Sequence, residues 1–327
     1  MLLWRVDGLI DLITIGAINW DVNMWLDEFP AIGEEVPVQR ITRVPGGKAA
    51  NAAVAAARVS ETKRVSLFGA VGDDDIGRTQ VKILTDEGVE TRHIKIMHGA
   101  ESGQAYITVN KTGMNFIETL FAANHEFLPE DMLRQSRLTA IKQCKVIAVS
   151  DPVVPTAEKI AALGSESGAR ILYDAGTKLQ TGIERLKSVL HCTSILFLNS
   201  VESQRIAGSN DPMEVRNKLK NLDLDVGVVV KLGEKGCAYA GKNDEELELQ
   251  ALPLEKFHLK VISTVGCGDA FLGVFAASLS QGFSEIESLE RANAAGGLKA
   301  SKAETQGSPR KKELEATLEA WKSASKL

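Results

Sequence analysis

Short apolar runs punctuate this chain, and several of them lack the alternation of a half-exposed strand, which predicts strands covered on both faces. Leu9 to Ile18, with Gly16 near its end, is the first such run, and Val65 to Val71 is the second. From about Lys145 the rhythm becomes strand and helix in turn. Lys145 to Val149, Arg170 to Tyr173, Ser194 to Leu198 and Val226 to Leu232 read as strands with helical segments between them. That alternation predicts an α/β fold with a mainly parallel, doubly wound sheet. Other stretches carry the two-residue period of a sheet with one wet face. Glu35 to Val44 alternates after a turn marked by Pro30 and Gly33. Gly103 to Val109 and Asn115 to Leu120 flank the hairpin signal Asn110-Lys111-Thr112-Gly113. These strands predict a compact second sheet. Helices are expected over Ala52 to Val59, rich in Ala and Val and suited to close packing, and from about Arg78 to Glu87. In a last helix Leu314, Leu318 and Trp321 share one face, which is expected to dock on the core.

Composition narrows the function without choosing it. The 327 residues allow one large domain or two smaller ones, and 44% hydrophobic with 25% charged residues is ordinary for a globular protein. With 38 Lys plus Arg against 43 Asp plus Glu, the net charge is −5, and the one basic block is Arg310-Lys311-Lys312. A nucleic-acid surface is disfavoured. No apolar run approaches the ~18–20 residues a membrane helix needs. The opening Met1 to Asp7 lacks the charged start and apolar core of a secretory signal. Cys144, Cys192, Cys237 and Cys267 are scattered without a C-x-x-C pair, so they read as reduced thiols of a cytoplasmic protein rather than as metal ligands.

Candidate chemistry centres on Ser263-Thr264-Val265-Gly266-Cys267-Gly268-Asp269-Ala270-Phe271, between the β-rich run Phe257 to Ile262 and an apolar helix beginning near Asp269. Gly266 and Gly268 let consecutive N–H groups face one concavity at a helix start, where an anion is stabilised. A carboxylate beside a bound phosphate repels it unless Asp269 has a task, such as taking a proton from an attacking hydroxyl. On this loop alone the plainer reading, a glycine turn with Asp269 as helix cap, stands first. Other stretches weigh against it. Gly46-Gly47-Lys48-Ala49-Ala50-Asn51 opens a helix with Lys48 and Asn51 on one face, offering a cation and an amide to a ligand's hydroxyls. Asn19 and Asp21, two apart on an extended segment, project to the same side and could converge on one ligand, although on this fragment alone a local turn is the preferred reading. Asp73-Asp74-Asp75 precedes a helix and is read as capping it. Asp151, Asp174, Asn199 with Glu202, and Gly233 with Gly236 each follow a predicted strand, which places all of them at the carboxyl edge where ligands gather.

From about Asp11 to Ser308 the chain resembles the ribokinase-like carbohydrate kinases, also called the phosphofructokinase B family. The motifs are Gly46-Gly47-Lys48-Ala49-Ala50-Asn51, Gly69-x-x-Gly72-x-Asp74-x-x-Gly77 and Gly266-x-Gly268-Asp269-x-Phe271. The resemblance implies a three-layer α/β/α domain over 9–327 with a small β-sheet lid, its strands inserted at about 17–45 and 103–122. It implies transfer of a nucleotide γ-phosphate, from ATP or ADP, to a sugar hydroxyl with Mg²⁺. By this resemblance Asp269 is the catalytic base, and Gly266, Cys267 and Gly268 supply the anion hole. Asn19, Asp21, Gly47, Lys48 and Asn51 hold sugar hydroxyls. Asn199 and Glu202 organise water-bound Mg²⁺, while Lys231, Gly233, Gly236, Gly268 and Asn293 lie near the nucleotide. Ser263 and Ser308 fall where a monovalent cation is bound in many members, but Ser263 stands where the family usually has Asp. A hydroxyl can ligate potassium without neutralising it, so potassium activation is left open. Lys48 with Asn19 and Asp21 points first to ribose. A ribose 1-phosphate or fructose phosphate kinase, a nucleoside kinase and an idle sugar-binding regulator are the alternatives. A homodimer through the lid strands is expected, as in many members.

Overall fold

The computed structural model describes residues 10–60, 64–112 and 114–324, so Met1 to Asp7, Leu9 and Gly113 lie outside it. β1 (Leu12–Gly16), β2 (Asn19–Trp25) and β3 (Arg40–Gly46) lead into α1 (Lys48–Val59), β4 (Val65–Gly72) and α2 (Asp75–Asp86). β5 (Ile94–Met97), β6 (Gly103–Val109) and β7 (Asn115–Leu120) precede α3 (Gln135–Gln143). The alternating half follows: β8 (Val146–Ser150), α4 (Val154–Glu166), β9 (Arg170–Asp174), α5 (Lys187–Cys192), β10 (Ile195–Asn199), α6 (Ser200–Ala207), α7 (Pro212–Lys220) and β11 (Gly227–Lys231). β12 (Cys237–Ala240), β13 (Glu246–Leu249), α8 (Cys267–Ser280), α9 (Glu285–Ala300) and α10 (Lys311–Ala324) complete the chain.

Nine strands form one sheet in the order β13-β12-β11-β10-β9-β8-β1-β4-β5, parallel from β11 to β5 with β12 and β13 antiparallel at one edge. Its apolar runs are explained by the pleat, which sends successive side chains to opposite faces. Leu12, Val146 and Ala148 join the cluster under α1, α8, α9 and α10, whereas Ile13, Ile15, Ile147 and Val149 join the cluster under α3 to α7. Burying each such aliphatic side chain contributes roughly 1.5–3 kcal/mol. The Ala-rich face of α1 admits α8 unusually close. A carbon added at Gly273 of α8 would lie 2.9 Å from Ala55 Cβ and 3.0 Å from the Ala52 carbonyl carbon.

The small sheet has the order β3-β2-β6-β7 and is mixed, because β2 pairs in parallel with β6 while β3 and β7 run antiparallel to their neighbours. Three sequence expectations change here. The first apolar run is not one strand: β1 ends at Gly16, and Asn19 already belongs to β2 in the other sheet. Periodicity missed that break because the run stays apolar through Ile18. The alternating segment expected from Glu35 forms ladder bonds only from Arg40. Phe257 to Ile262 is not a strand. Its first residue ends a 3₁₀ turn and the rest runs as an unpaired connection, anchored at Ile262, whose N–H donates to the Ala300 carbonyl (2.8 Å). The triple Asp behaves as expected. Asp74 accepts from the Gly77 N–H (2.7 Å) and from Ser102 N and Oγ (2.8 and 2.6 Å), while Asp73 and Asp75 pair with Arg78. No helix among the described residues is long and apolar enough to cross a membrane.

Candidate active site

The carboxyl ends of β1, β8, β9, β10 and β11 meet the starts of α1 and α8 in one cleft, with the small sheet beside it. Gly266 caps α8 at φ 82°, a left-handed conformation that glycine adopts without strain. The turn places Asp269 in the first helical turn, where burial pushes its carboxyl above the ordinary aspartate range. Asn51 Nδ2 donates to Asp269 Oδ2 (2.8 Å), joining α1 to α8 across 218 residues of sequence. The Asn51 amide oxygen is buried without a partner, a costly state that a ligand hydroxyl would relieve.

Gly47 makes the start of α1 possible. At φ 91° it presses against β1 and β2, and a side chain there would lie 2.5 Å from both the Ala17 oxygen and the Asn19 nitrogen. Lys48 then reaches over the Gly176 backbone toward the strand ends. Burial pulls its pKa down, but the charges of Asp174, Asp151, Asp269 and Glu202 outweigh that and keep it an ammonium. Lys231 Nζ pairs with Asp174 (2.7 Å) and lies 3.2 Å from where a Gly268 Cβ would be, above the first turn of α8. Burial opposes ionisation of Asp174, yet Lys231 and Lys48 hold its pKa below the usual range.

Asp21 stands on β2, packed against Gly46 so closely that no side chain fits at that position. Burial first, and the Asp269 charge second, push its carboxyl up to about 7. Asn19 accepts a hydrogen bond from Asn124 Nδ2 (2.8 Å) through its side-chain oxygen, and Gln80 donates to its carbonyl. Neither Asn124 nor Gln80 stood out in the sequence, since each is an isolated amide in a polar stretch. Asn199 and Glu202 form a reciprocal cap on α6, Asn199 N to Glu202 Oε2 at 2.8 Å and Glu202 N to Asn199 Oδ1 at 2.9 Å. Burial and the nearby Asp174 charge raise the Glu202 pKa.

Some expected residues have structural employment as well. The Cys267 N–H turns back to the Thr264 carbonyl (3.2 Å), which leaves the N–H groups of Gly268 and Asp269 without a partner inside the helix. Asn293 on α9 spends an amide hydrogen on the Gln250 carbonyl (2.7 Å), so it fixes the connection after β13. Gly236, at φ 99°, lies where a Cβ would strike the Leu249 and Gln250 backbone, whereas Gly233 borders open space. Asp174, at the end of β9, is the ion-pair hub of the cleft. Its place after a strand was legible, but its two lysine partners come from α1 and β11. Asp151, after β8, accepts from Thr177 Oγ1 (2.9 Å) and pairs with Lys178 (3.3 Å).

The pattern of the pfkB family carbohydrate kinases matches residues 10–312. The chain belongs to that family. A ribokinase of Lactococcus lactis is 30% identical over 306 residues, covering 93% of this chain and 95% of its own. The ATP-dependent ribose-1-phosphate kinase of Halopiger xanaduensis is 26% identical over 303 residues, covering 92% and 95%. The structure of an Arabidopsis thaliana ribokinase complexed with ribose and ATP superposes with a TM-score of 0.82 at 23% identity, covering 95% and 99% of the two chains. The protein is a carbohydrate kinase with the ribokinase-like fold.

Proposed function

We propose that this pfkB kinase transfers the γ-phosphate of ATP to the primary hydroxyl, O5, of ribose, with Asp269 accepting the proton. The observation that carries the reading is the Asn51–Asp269 pair, a carboxylate of raised pKa held beside an unpartnered buried amide oxygen. A base poised nearer neutrality exchanges protons more effectively than an ordinary carboxylate. The sugar is held by Asn51, Lys48, Asn19 and Asp21, with Gly47 opening the floor so that the ring meets backbone. Held in line, the hydroxyl attacks while the N–H groups at the head of α8 and the Lys231 charge take up the negative charge of the transferring phosphoryl group. The small sheet excludes water. Asn199, Gly233, Gly236, Gly268 and Asn293 border the nucleotide.

Glu202 suits water-bound Mg²⁺, because its carboxylate faces the like charge of Asp174, which a dication would relieve. Among the described residues no cluster of three metal-ligating side chains occurs, consistent with a metal held mainly by phosphates and water. When bound, Mg²⁺ neutralises charge on the phosphate oxygens.

Lys48 is balanced by four carboxylates, Asp174, Asp151, Asp269 and Glu202. That surplus of negative charge favours a neutral polyhydroxyl acceptor over a phosphorylated one, and so ribose over ribose 1-phosphate. The test is a coupled assay with ATP or ADP and Mg²⁺ across ribose, ribose 1-phosphate, fructose, fructose phosphates and nucleosides. Highest kcat/KM for ribose supports the reading. A preferred phosphosugar reassigns Lys48 to phosphate, and sugar binding without turnover leaves a regulatory binding protein. A homodimer through the lid is supported by β7, an edge strand exposed at every position with Phe116 and Ile117 outward. Light scattering reads its mass. A cytoplasmic location is supported by the four cysteines, all free thiols.

A further inference from the structure

Lys299, in the last turn of α9, is fully buried. A lysine is seldom buried without an ion-pair partner, because removing an ammonium from water is costly. Among the described residues Lys299 makes no ion pair. Its ammonium instead donates to two backbone carbonyls, Ser263 at 3.2 Å and Lys302 at 3.3 Å. Its stem lies against the anion loop: a carbon added to Gly266 would be 3.5 Å from Lys299 Cε, and one added to Gly307 would be 3.2 Å from its Cδ. Gly266 is the cap of α8 and Ser263 opens the same loop, so the ammonium stands directly behind the turn that aims the helix and Asp269. Burial lowers its pKa, and Cys267, Glu304 and Asp269 act in the opposite direction.

Three further oxygens of this region, on Gln306 and Ser308, serve a second cation. Arg58 Nη1, from α1, donates to the carbonyls of Gln306 (2.6 Å) and Ser308 (2.8 Å) and to the Ser308 hydroxyl (3.4 Å). Ser263 and Ser308 are the two positions expected to face a monovalent cation, and each already serves a side-chain cation through its backbone oxygen. A bound potassium ion needs several carbonyl oxygens in place of its water shell. The residues present do not fit it.

We propose that the Lys299 ammonium takes the place of a monovalent cation, supplying a fixed positive charge behind the anion loop so that phosphoryl transfer needs no added potassium. The proposal rests on the kinase reading of the cleft. Lys299 touches neither reactant. It is a positioning residue that holds the Ser263 carbonyl, and through it the loop whose N–H groups receive the phosphoryl charge.

The test uses the full-length protein. Turnover is measured in potassium, sodium and tetramethylammonium chloride at equal ionic strength, and the same kcat is expected in all three. A several-fold rise specific to potassium overturns the proposal. Lys299→Met keeps the stem and removes the charge. Its kcat is expected to fall about tenfold or more, the scale of an outer-shell partner, with KM for the sugar little changed. In Lys299→Ala, part of that loss returns with ammonium or methylammonium ions, which a purely structural lysine would not show. Unchanged kcat in Lys299→Met overturns the proposal. If neither variant folds, rubidium-soaked crystals of the unaltered protein decide by anomalous scattering. No ion is expected on the Ser263 or Lys302 carbonyl, and an ion there refutes the idea. This last measurement does not depend on catalysis. If no sugar is phosphorylated in any salt, the kinase reading fails and the scattering still judges Lys299.

Discussion

Gly273→Ala tests how the Asn51–Asp269 pair, proposed as catalytic, is held together. Gly273 sits one turn beyond Asp269 on α8, where that helix crosses α1 at Ala52 and Ala55. The methyl carbon would come within 2.9 Å of Ala55 Cβ and 3.0 Å of the Ala52 carbonyl carbon, and nearer still to that carbonyl's oxygen. Ordinary carbon–carbon contact is about 3.5–4.0 Å, so the helices must part by roughly 0.5–1 Å. Backbone and a second Cβ cannot rotate away as a flexible side chain would, so overpacking should cost about 1–3 kcal/mol. Asn51 rides on α1 and Asp269 on α8, and their 2.8 Å bond spans that same crossing. Displacement on this scale costs on the order of 10²-fold when it misplaces a reacting group. Gly273→Ala is therefore expected to lower the midpoint of urea unfolding and to reduce kcat by about 10- to 100-fold, with KM for ATP close to wild type. Gly296→Ala on α9 is the control, because its new carbon meets only ordinary contacts at 3.6 and 3.9 Å. It should leave kcat unchanged. Wild-type kcat and stability in Gly273→Ala would refute the claim that this crossing sets the geometry of the pair.

Asp269→Asn is expected to lower kcat by roughly 10²–10⁴-fold with ATP still bound, and near-normal turnover would remove Asp269 from the role of base. Asp21 binds its proton up to about pH 7 in the folded protein but only to the ordinary aspartate value of 3.8 when unfolded. The folded state thus holds the extra proton between these values, and stability should fall as pH rises through that window. Asp21→Asn should flatten that dependence in urea titrations. With Asp21 in its proposed role of accepting sugar hydroxyls as the ionised carboxylate, ribose affinity by calorimetry should tighten as pH rises toward 7 and level off above it; a flat profile would contradict this role. Lys48→Met removes one of the two lysines facing Asp174, and a loss of about 1–3 kcal/mol is expected because Lys48 is only partly buried and Lys231 remains. A stability gain would show that the carboxylates are satisfied without it.

The legible parts of the site were those with local signatures. Glycines before a helix announced both Lys48 and Asp269, since a turn of that kind is costly without a purpose. Polar residues after apolar runs announced Asp174, Asn199 and Glu202 at one sheet edge. The Phe257 to Ile262 run misled because β-branched and aromatic residues favour extended backbone whether or not a neighbouring strand is present to pair with it. Asn124 and Gln80 were not legible, because a single amide carries no period and gains meaning only from the backbone it meets.

By itself the sequence determined which segments become strands and helices, the parallel alternation from Lys145 onward and the glycine turns that present Lys48 and Asp269. These follow from side-chain periodicity and backbone freedom, which act over a few residues. Only the tertiary structure decided the pairs that form across distance: Asn51 with Asp269, Asp174 with Lys231, Arg58 with Ser308, and Lys299 with the Ser263 carbonyl. Each joins residues 36 or more positions apart. A buried charge takes whatever partner the packing of helices on the sheet brings within reach, and no local pattern encodes that distance.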